Sequence, residues 1–144
     1  MSHAEGRPSI TAITIDEDVN WKVNVIKQRT IASGSGSHAE GIGTQANGIA
    51  AHAEGANTIV NGNYSHAEGS QTEASGNYSH AEGELTQATG LNSHAEGKLS
   101  HATAQCTHAE GYNAQATANF AHAEGYGSKA TGRASHAEGN GTQA

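Results

Sequence analysis

Small apolar and polar positions alternate along most of this chain, in a frame that restarts every seven residues. The tetrapeptide His-Ala-Glu-Gly begins at His3, His38, His52, His66, His80, His94, His108, His122 and His136, and from His38 onward the copies are 14 residues apart. Between them runs a looser pattern, as in Thr44-Gln45-Ala46-Asn47-Gly48, Thr72-Glu73-Ala74-Ser75-Gly76, Thr86-Gln87-Ala88-Thr89-Gly90 and Ser128-Lys129-Ala130-Thr131-Gly132. Aligned with Ser65-His66-Ala67-Glu68-Gly69, both halves read Ser/Thr-x-Ala-x-Gly followed by two linking residues. The unit is therefore a heptad.

A coiled coil needs large apolar side chains at two heptad positions, whereas the regular positions here are Ser/Thr, Ala and Gly. Glycine in every repeat also opposes a helix, by about 1 kcal/mol each relative to alanine. In a strand, alternate residues share a face, so Ser/Thr, Ala and Gly point one way and the two variable residues the other. Each heptad is then expected to form a five-residue strand and a two-residue turn, and two heptads one 14-residue coil. Coils stacked at the ordinary interstrand spacing of about 4.8 Å make a narrow parallel β-roll with room inside only for small side chains, and eight of them span roughly 38 Å.

The N-terminal region fits the same register with one insertion. Residues 1–6 supply a first half-coil, residues 7–29 an insertion, and residues 30–144 the repeat domain. Inside the insertion Ile13 and Ile15, then Val19, Trp21, Val23 and Val25, alternate around Asp16-Glu17-Asp18, which predicts a β-hairpin. An isolated hairpin is marginal in water, so this one is expected to bury Trp21 against the N-terminal end of the roll or a neighbouring chain.

Composition sharpens this picture. Hydrophobic residues make up 34% of the chain, much of it alanine, and of the seventeen Leu, Ile, Val, Met and Phe residues nine lie in the first 31 positions. A chain this poor in large apolar groups folds only if regular stacking, and contacts between subunits, replace an ordinary core. The net charge of −7 has the wrong sign for holding a nucleic-acid backbone, and no apolar run approaches the length of a membrane-spanning helix. The N-terminus lacks the basic-then-apolar pattern of a signal peptide, so any route out of the cell is expected to be something else, such as lysis or assembly on a particle. Cys106 is the only cysteine, so no intrachain disulfide can form, and it reads as a small apolar turn residue.

The Ser/Thr-x-Ala-x-Gly heptad at 14-residue spacing resembles the head repeats of trimeric autotransporter adhesins. The form Ser-His-Ala-Glu-Gly is similar to repeat regions of phage tail-fibre and neck-appendage proteins. The resemblance covers Thr30 to Ala144, and Ser2 to Gly6 by register. It implies an all-β, left-handed parallel β-roll of 14-residue coils with two short strands each, assembled as a homotrimer. Two departures matter. Adhesin heads carry Val and Ile at the outward positions of one strand, where this chain has His and Glu. The chain also shows no coiled-coil stalk, membrane anchor or self-cleaving domain and stops at Ala144 in mid-strand, so a longer protein or a cap is expected there.

Outward residues of the looser half vary freely, as in Gln45 and Asn47, Ile59 and Asn61, or Lys129 and Thr131, while the outward His and Glu never do. A solvated face needs no such uniformity and a three-fold axis does; recent duplication is the alternative. The trimer axis is accordingly expected at His38, Glu40, His52, Glu54, His66, Glu68, His80, Glu82, His94, Glu96, His108, Glu110, His122, Glu124, His136 and Glu138. Each carboxylate there would accept from an imidazole of its own or a neighbouring chain, and this pairing is expected to raise the folded His pKa, with burial opposing it. Neutral His paired with Glu satisfies its polar atoms without a metal, so no metal or cofactor is required, although axial histidines are the right ligand type for one. His-Ala-Glu matches the start of the zinc-deaminase pattern, but the Pro-Cys-x-x-Cys partner is missing, and no other catalytic motif occurs. The chain is not expected to be an enzyme.

Tyr64, Tyr78, Cys106 and Phe120 recur at one coil position, interrupted by Asn92, and Tyr112 and Tyr126 form a second short ladder. Stacked aromatics there either brace the turns or present a platform to a saccharide. The reading as a whole is a rigid segment of a trimeric fibre on a phage-like tail or an extracellular surface, its partners being itself and other fibre components, with no nucleic acid and no membrane insertion. The competing readings are an adhesive head for a host-surface glycan and a metal-binding His/Glu array.

Overall fold

The computed structural model describes residues 2–5, 9–15 and 23–144, with side chains for 2–5 and 29–144. Its described residues are all strand, turn and bend, without helix, and the repeat region stacks as a parallel β-solenoid of about eight turns. His3–Glu5 begins a nine-stranded sheet that continues through His38–Ile42, His52–Ala56 and each later His-Ala-Glu-Gly copy to His136–Asn140. The looser halves build an eight-stranded sheet from Ile31–Ala32 and Gln45–Ala46 to Lys129–Ala130. Like pairs with like: His52 with His66, Ala53 with Ala67, Glu54 with Glu68 and Gly55 with Gly69. The insertion is not interrupted in register either, since His3 pairs with His38 across it.

The two halves of a turn do not form equal strands. The His-Ala-Glu-Gly half gives five strand residues, as expected, but the looser half gives only two. At its end the amides of Asn47 and Gly48 both donate to the carbonyl of Val60, at 2.8 and 3.3 Å, so two residues share one acceptor and the ladder stops. The chain then reverses, and the amide of Ala51 returns to the carbonyl of Gly48 at 3.3 Å. Two corner columns lie at positive φ, one through Asn57, Gln71 and Leu85 and the other through Ala50, Tyr64, Tyr78, Asn92, Cys106 and Phe120. In-register stacking holds these non-glycine residues in a conformation that costs about 1–2 kcal/mol each.

The interior is alanine. Among the described residues every buried hydrophobic side chain is alanine except Val60. Beside them lie the Ser and Thr residues that open most heptads, with Ala51, Ala114 and Ala121 at the same position in three. Ser37, Ser79 and Ser93 donate to the carbonyls of Gly34, Gly76 and Gly90 at 2.6–2.7 Å, closing the reversal from inside. Outside, Asn side chains run along the stack: Asn47 donates to Asn61 at 2.9 Å and Asn61 to Ser75 at 3.2 Å.

The glycine that ends His-Ala-Glu-Gly has φ between +94° and +116° in every copy from Gly41 to Gly139. A Cβ at Gly83 would fall onto the carbonyl oxygen of Gly97, and the column repeats this from turn to turn. Only glycine fits. In the second glycine column, through Gly48, Gly62, Gly76 and Gly90, the chain itself substitutes Ala104 and Ala118.

In the insertion, Ser9–Ile15 pairs antiparallel with Val23–Gln28, with Ile13 opposite Val25 and Ile15 opposite Val23. The hairpin pairing is therefore present. Asp16-Glu17-Asp18 and Trp21, and with them the expected burial of the indole, lie outside the described residues.

Candidate functional site

Histidine and glutamate sit two residues apart on one strand, so both project from the same outer face while the alanine between them points inward. Because every long strand repeats this in register, the face carries a column of imidazoles beside a column of carboxylates. The inner histidines are half-buried, and the glutamates beside them are a little more open except Glu96, which is less exposed than His94.

The imidazoles stack on one another. Centroid separations run from 4.7 to 5.2 Å, set by the interstrand spacing. Most neighbouring rings are close to parallel, for example 8° between His94 and His108 and 1° between His122 and His136. Two pairs are not: His38 and His52 meet edge-on at 78°, and His66 and His80 are tilted by 56°.

Within one chain the imidazole–carboxylate hydrogen bond forms at the N-terminal end only. Nε2 of His3 meets Oε1 of Glu5, and Nε2 of His38 lies 3.1 Å from Oε2 of Glu40. Further along the column the Nε2 to Oε2 distance is 3.2–3.9 Å and the alignment no longer makes a hydrogen bond. Nε2 of His52, His66, His80, His94, His108 and His122 is thereby shielded from water and without a partner in its own chain. A side chain spanning i to i+2 along an extended strand meets its neighbour side by side, which suits ion pairing better than a directed bond.

Within a single chain, His66 and His122 are shifted opposite to the expected direction. Burial holds His66 below the ordinary imidazole value, with the neighbouring His52 and His80 adding to the shift, and Glu68 and Glu54 only partly oppose it. His122 is lowered in the same way, by burial first and then by His108 and His136, against Glu124 and Glu110. Each inner imidazole faces two others in the stack, and the expectation from sequence set the carboxylate against burial without counting those rings.

At five places from His52 onward, where successive rings stack, donor atoms converge. One atom each from His52, Glu54 and His66 lies within 4.8 Å of the others, and the same holds for His80, Glu82 and His94, for His94, Glu96 and His108, for His108, Glu110 and His122, and for His122, Glu124 and His136. Two imidazoles and a carboxylate are borderline-hard ligands suited to zinc and related divalent ions.

The aromatic ladders are a second surface. Tyr64 and Tyr78 stack at 5.4 Å with planes 8° apart, and Tyr112 and Tyr126 at 5.0 Å and 5°. All four are exposed, Tyr64 at 56% and Tyr78 at 58%. Phe120 is exposed as well, with the Arg133 guanidinium 5.5 Å above its ring, and Cys106 is an exposed free thiol in the same column. Sequence reasoning found these columns by position but not their backbone: Tyr64, Tyr78, Cys106 and Phe120 all sit at positive φ, a property no single residue type advertises.

No family model matches the chain, and no curated protein matches it. Among the described residues no helix is long and apolar enough to cross a membrane.

Proposed function

We propose that this chain is a rigid segment of a homotrimeric fibre, a left-handed β-roll whose His–Glu face lies on the three-fold axis. The observation that carries this reading is the pairing of an alanine interior with an invariant His–Glu face. An interior of alanine, serine and threonine removes little apolar surface from water, at about 25 cal/mol per Å², so a lone roll is marginal and subunit contacts make up the difference. The six unpartnered imidazole nitrogens lie on the face that other subunits would cover. In-register parallel stacking gives a rod that lengthens with each added repeat without changing its cross-section. That suits a phage-like tail fibre or an extracellular appendage, and the resemblance of Ser-His-Ala-Glu-Gly to tail-fibre repeats points the same way. The segment acts mechanically and not as a catalyst.

Light scattering at micromolar concentration tests the assembly. The expected mass is three times 14.6 kDa, and a folded monomer at that concentration overturns the axial arrangement.

A second reading is favoured by the two exposed tyrosine stacks. Flat, solvent-facing rings held at fixed spacing are the kind of surface on which a pyranose stacks, so the same rod could present them to a host glycan. Binding on a glycan array that disappears in a Tyr64→Ala Tyr78→Ala variant supports an adhesive role, and the absence of any bound glycan removes it.

A further inference from the structure

We propose that the His–Glu face is a repeated binding site for divalent transition-metal ions, each ion taking two imidazoles from successive turns and the carboxylate that follows the first of them. All three ligands come from one chain, so the inference stands apart from the fibre reading.

Three observations carry it. The first is convergence: His80, Glu82 and His94 bring one donor atom each within 4.8 Å of the others, and four more groups repeat the arrangement. Zinc–nitrogen bonds of about 2.0–2.1 Å require the donors to close further. The side chains are half-exposed and their backbones fixed by the sheet, so the closure is a matter of side-chain torsions alone.

The second is the correlation with ring orientation. Of the three successive pairs that do not converge, two have their rings turned away from each other, His38 with His52 at 78° and His66 with His80 at 56°, while His3 and His38, at the N-terminal end of the column, stack at 19° and centroids 5.2 Å apart. Within the column a turned ring thus goes with lost convergence, and convergence does not follow from the repeat alone.

The third is that Nε2 of the inner histidines is shielded from water yet bonded to nothing in its own chain. A neutral imidazole offers a lone pair on one nitrogen, and a metal is a partner that a strand-spaced carboxylate at 3.2–3.9 Å does not replace. The set of two histidines and one carboxylate leaves a coordination position for water or a further ligand, and the negative charge of the chain favours cations along the whole face.

Capacity follows from shared ligands. His94 belongs to two of the groups, as do His108 and His122, so at most three ions bind at once without sharing a residue. The test uses the full chain without a tag, stripped with chelator and then titrated with Zn²⁺, bound zinc being measured per chain by equilibrium dialysis and elemental analysis. Wild type should saturate at about three ions, and His38→Ala, which lies in no converging group, should leave that number unchanged. His94→Ala removes two groups and should lower it to about two. Should His94→Ala fail to fold, Glu82→Gln combined with Glu96→Gln removes the same two groups while keeping the imidazole stack and should also give about two. Absence of saturable binding, or three ions retained by the folded His94→Ala or double-glutamine variant, overturns the proposal. Light scattering in chelator reports the oligomeric state separately, so a failure of one idea is not mistaken for failure of the other.

Discussion

The imidazole of His122 lies flat on that of His108, with 4.7 Å between centroids and 7° between planes. A proton added to one ring is therefore felt by the other. Burial and these ring neighbours hold His122 below its ordinary pKa, and His66 likewise, so the folded chain binds fewer protons than the unfolded chain below an imidazole pKa of about 6.5. A depressed folded value contributes stability that is fully present above the unfolded pKa and is lost as pH falls through the folded one. Melts of metal-free protein should show a midpoint that drops on mild acidification. A His66→Gln His122→Gln variant should lose part of that drop, and a wild-type midpoint that rises in acid contradicts the direction.

The two glycine columns should respond differently to alanine. Gly83 combines φ of +106° with a Cβ position that falls on the Gly97 carbonyl, so the backbone term alone costs about 1–3 kcal/mol and the collision adds to it. A Cβ at Gly90 would also fall on a carbonyl, that of Ala104, but Gly90 has no positive φ, and Ala104 and Ala118 show that the chain accommodates alanine in this column. Chemical denaturation should rank Gly83→Ala well below Gly90→Ala. Equal losses would mean that the positive φ at Gly83 is not what restricts that column.

These columns mark what the sequence made legible. A period of seven with Ala and Ser/Thr at alternate positions placed Ala53 and Ala67 inside and His52 and Glu54 outside, because a strand has two faces and a one-residue slip would bury the charges. The same period overstated the strand at Gln45–Ala46, since the shared acceptor at Val60 is a matter of backbone direction and not of side-chain type. The His–Glu face was legible as a face. Its internal geometry was not, because the 78° between His38 and His52 against 8° between His94 and His108 is set by side-chain torsions, and identical motifs cannot announce different torsions.

At the aromatic column, two local effects oppose each other. Tyr78 sits at φ of +58°, which asparagine tolerates better, and its ring stacks on Tyr64. Tyr78→Asn relieves the backbone while giving up a stacked pair that contributes about 0.5–1.5 kcal/mol, and Asn92 shows the residue fits one turn further on. The two should nearly cancel. A stability change within about 1 kcal/mol is expected, and a larger loss would assign the ladder a bracing role in the fold.

Thr58 offers the cleanest test of the interior. Its side chain is fully buried, and its hydroxyl finds no hydrogen-bond partner, as is also true of Thr44 and Thr72 in the same column. Valine has nearly the same shape and removes the oxygen, and the chain already places Ala114 at this position four turns on. An unpaired buried hydroxyl costs about 1–3 kcal/mol, so Thr58→Val should stabilise the roll by roughly 1 kcal/mol or more. By contrast, Ser79→Ala should destabilise it, because the Ser79 hydroxyl donates to the Gly76 carbonyl at 2.6 Å and its removal leaves that buried acceptor with less than it had. Opposite signs for the two substitutions in one denaturation series are the expected result. A loss of stability in Thr58→Val would mean that its hydroxyl has a partner inside the roll after all, such as a buried water.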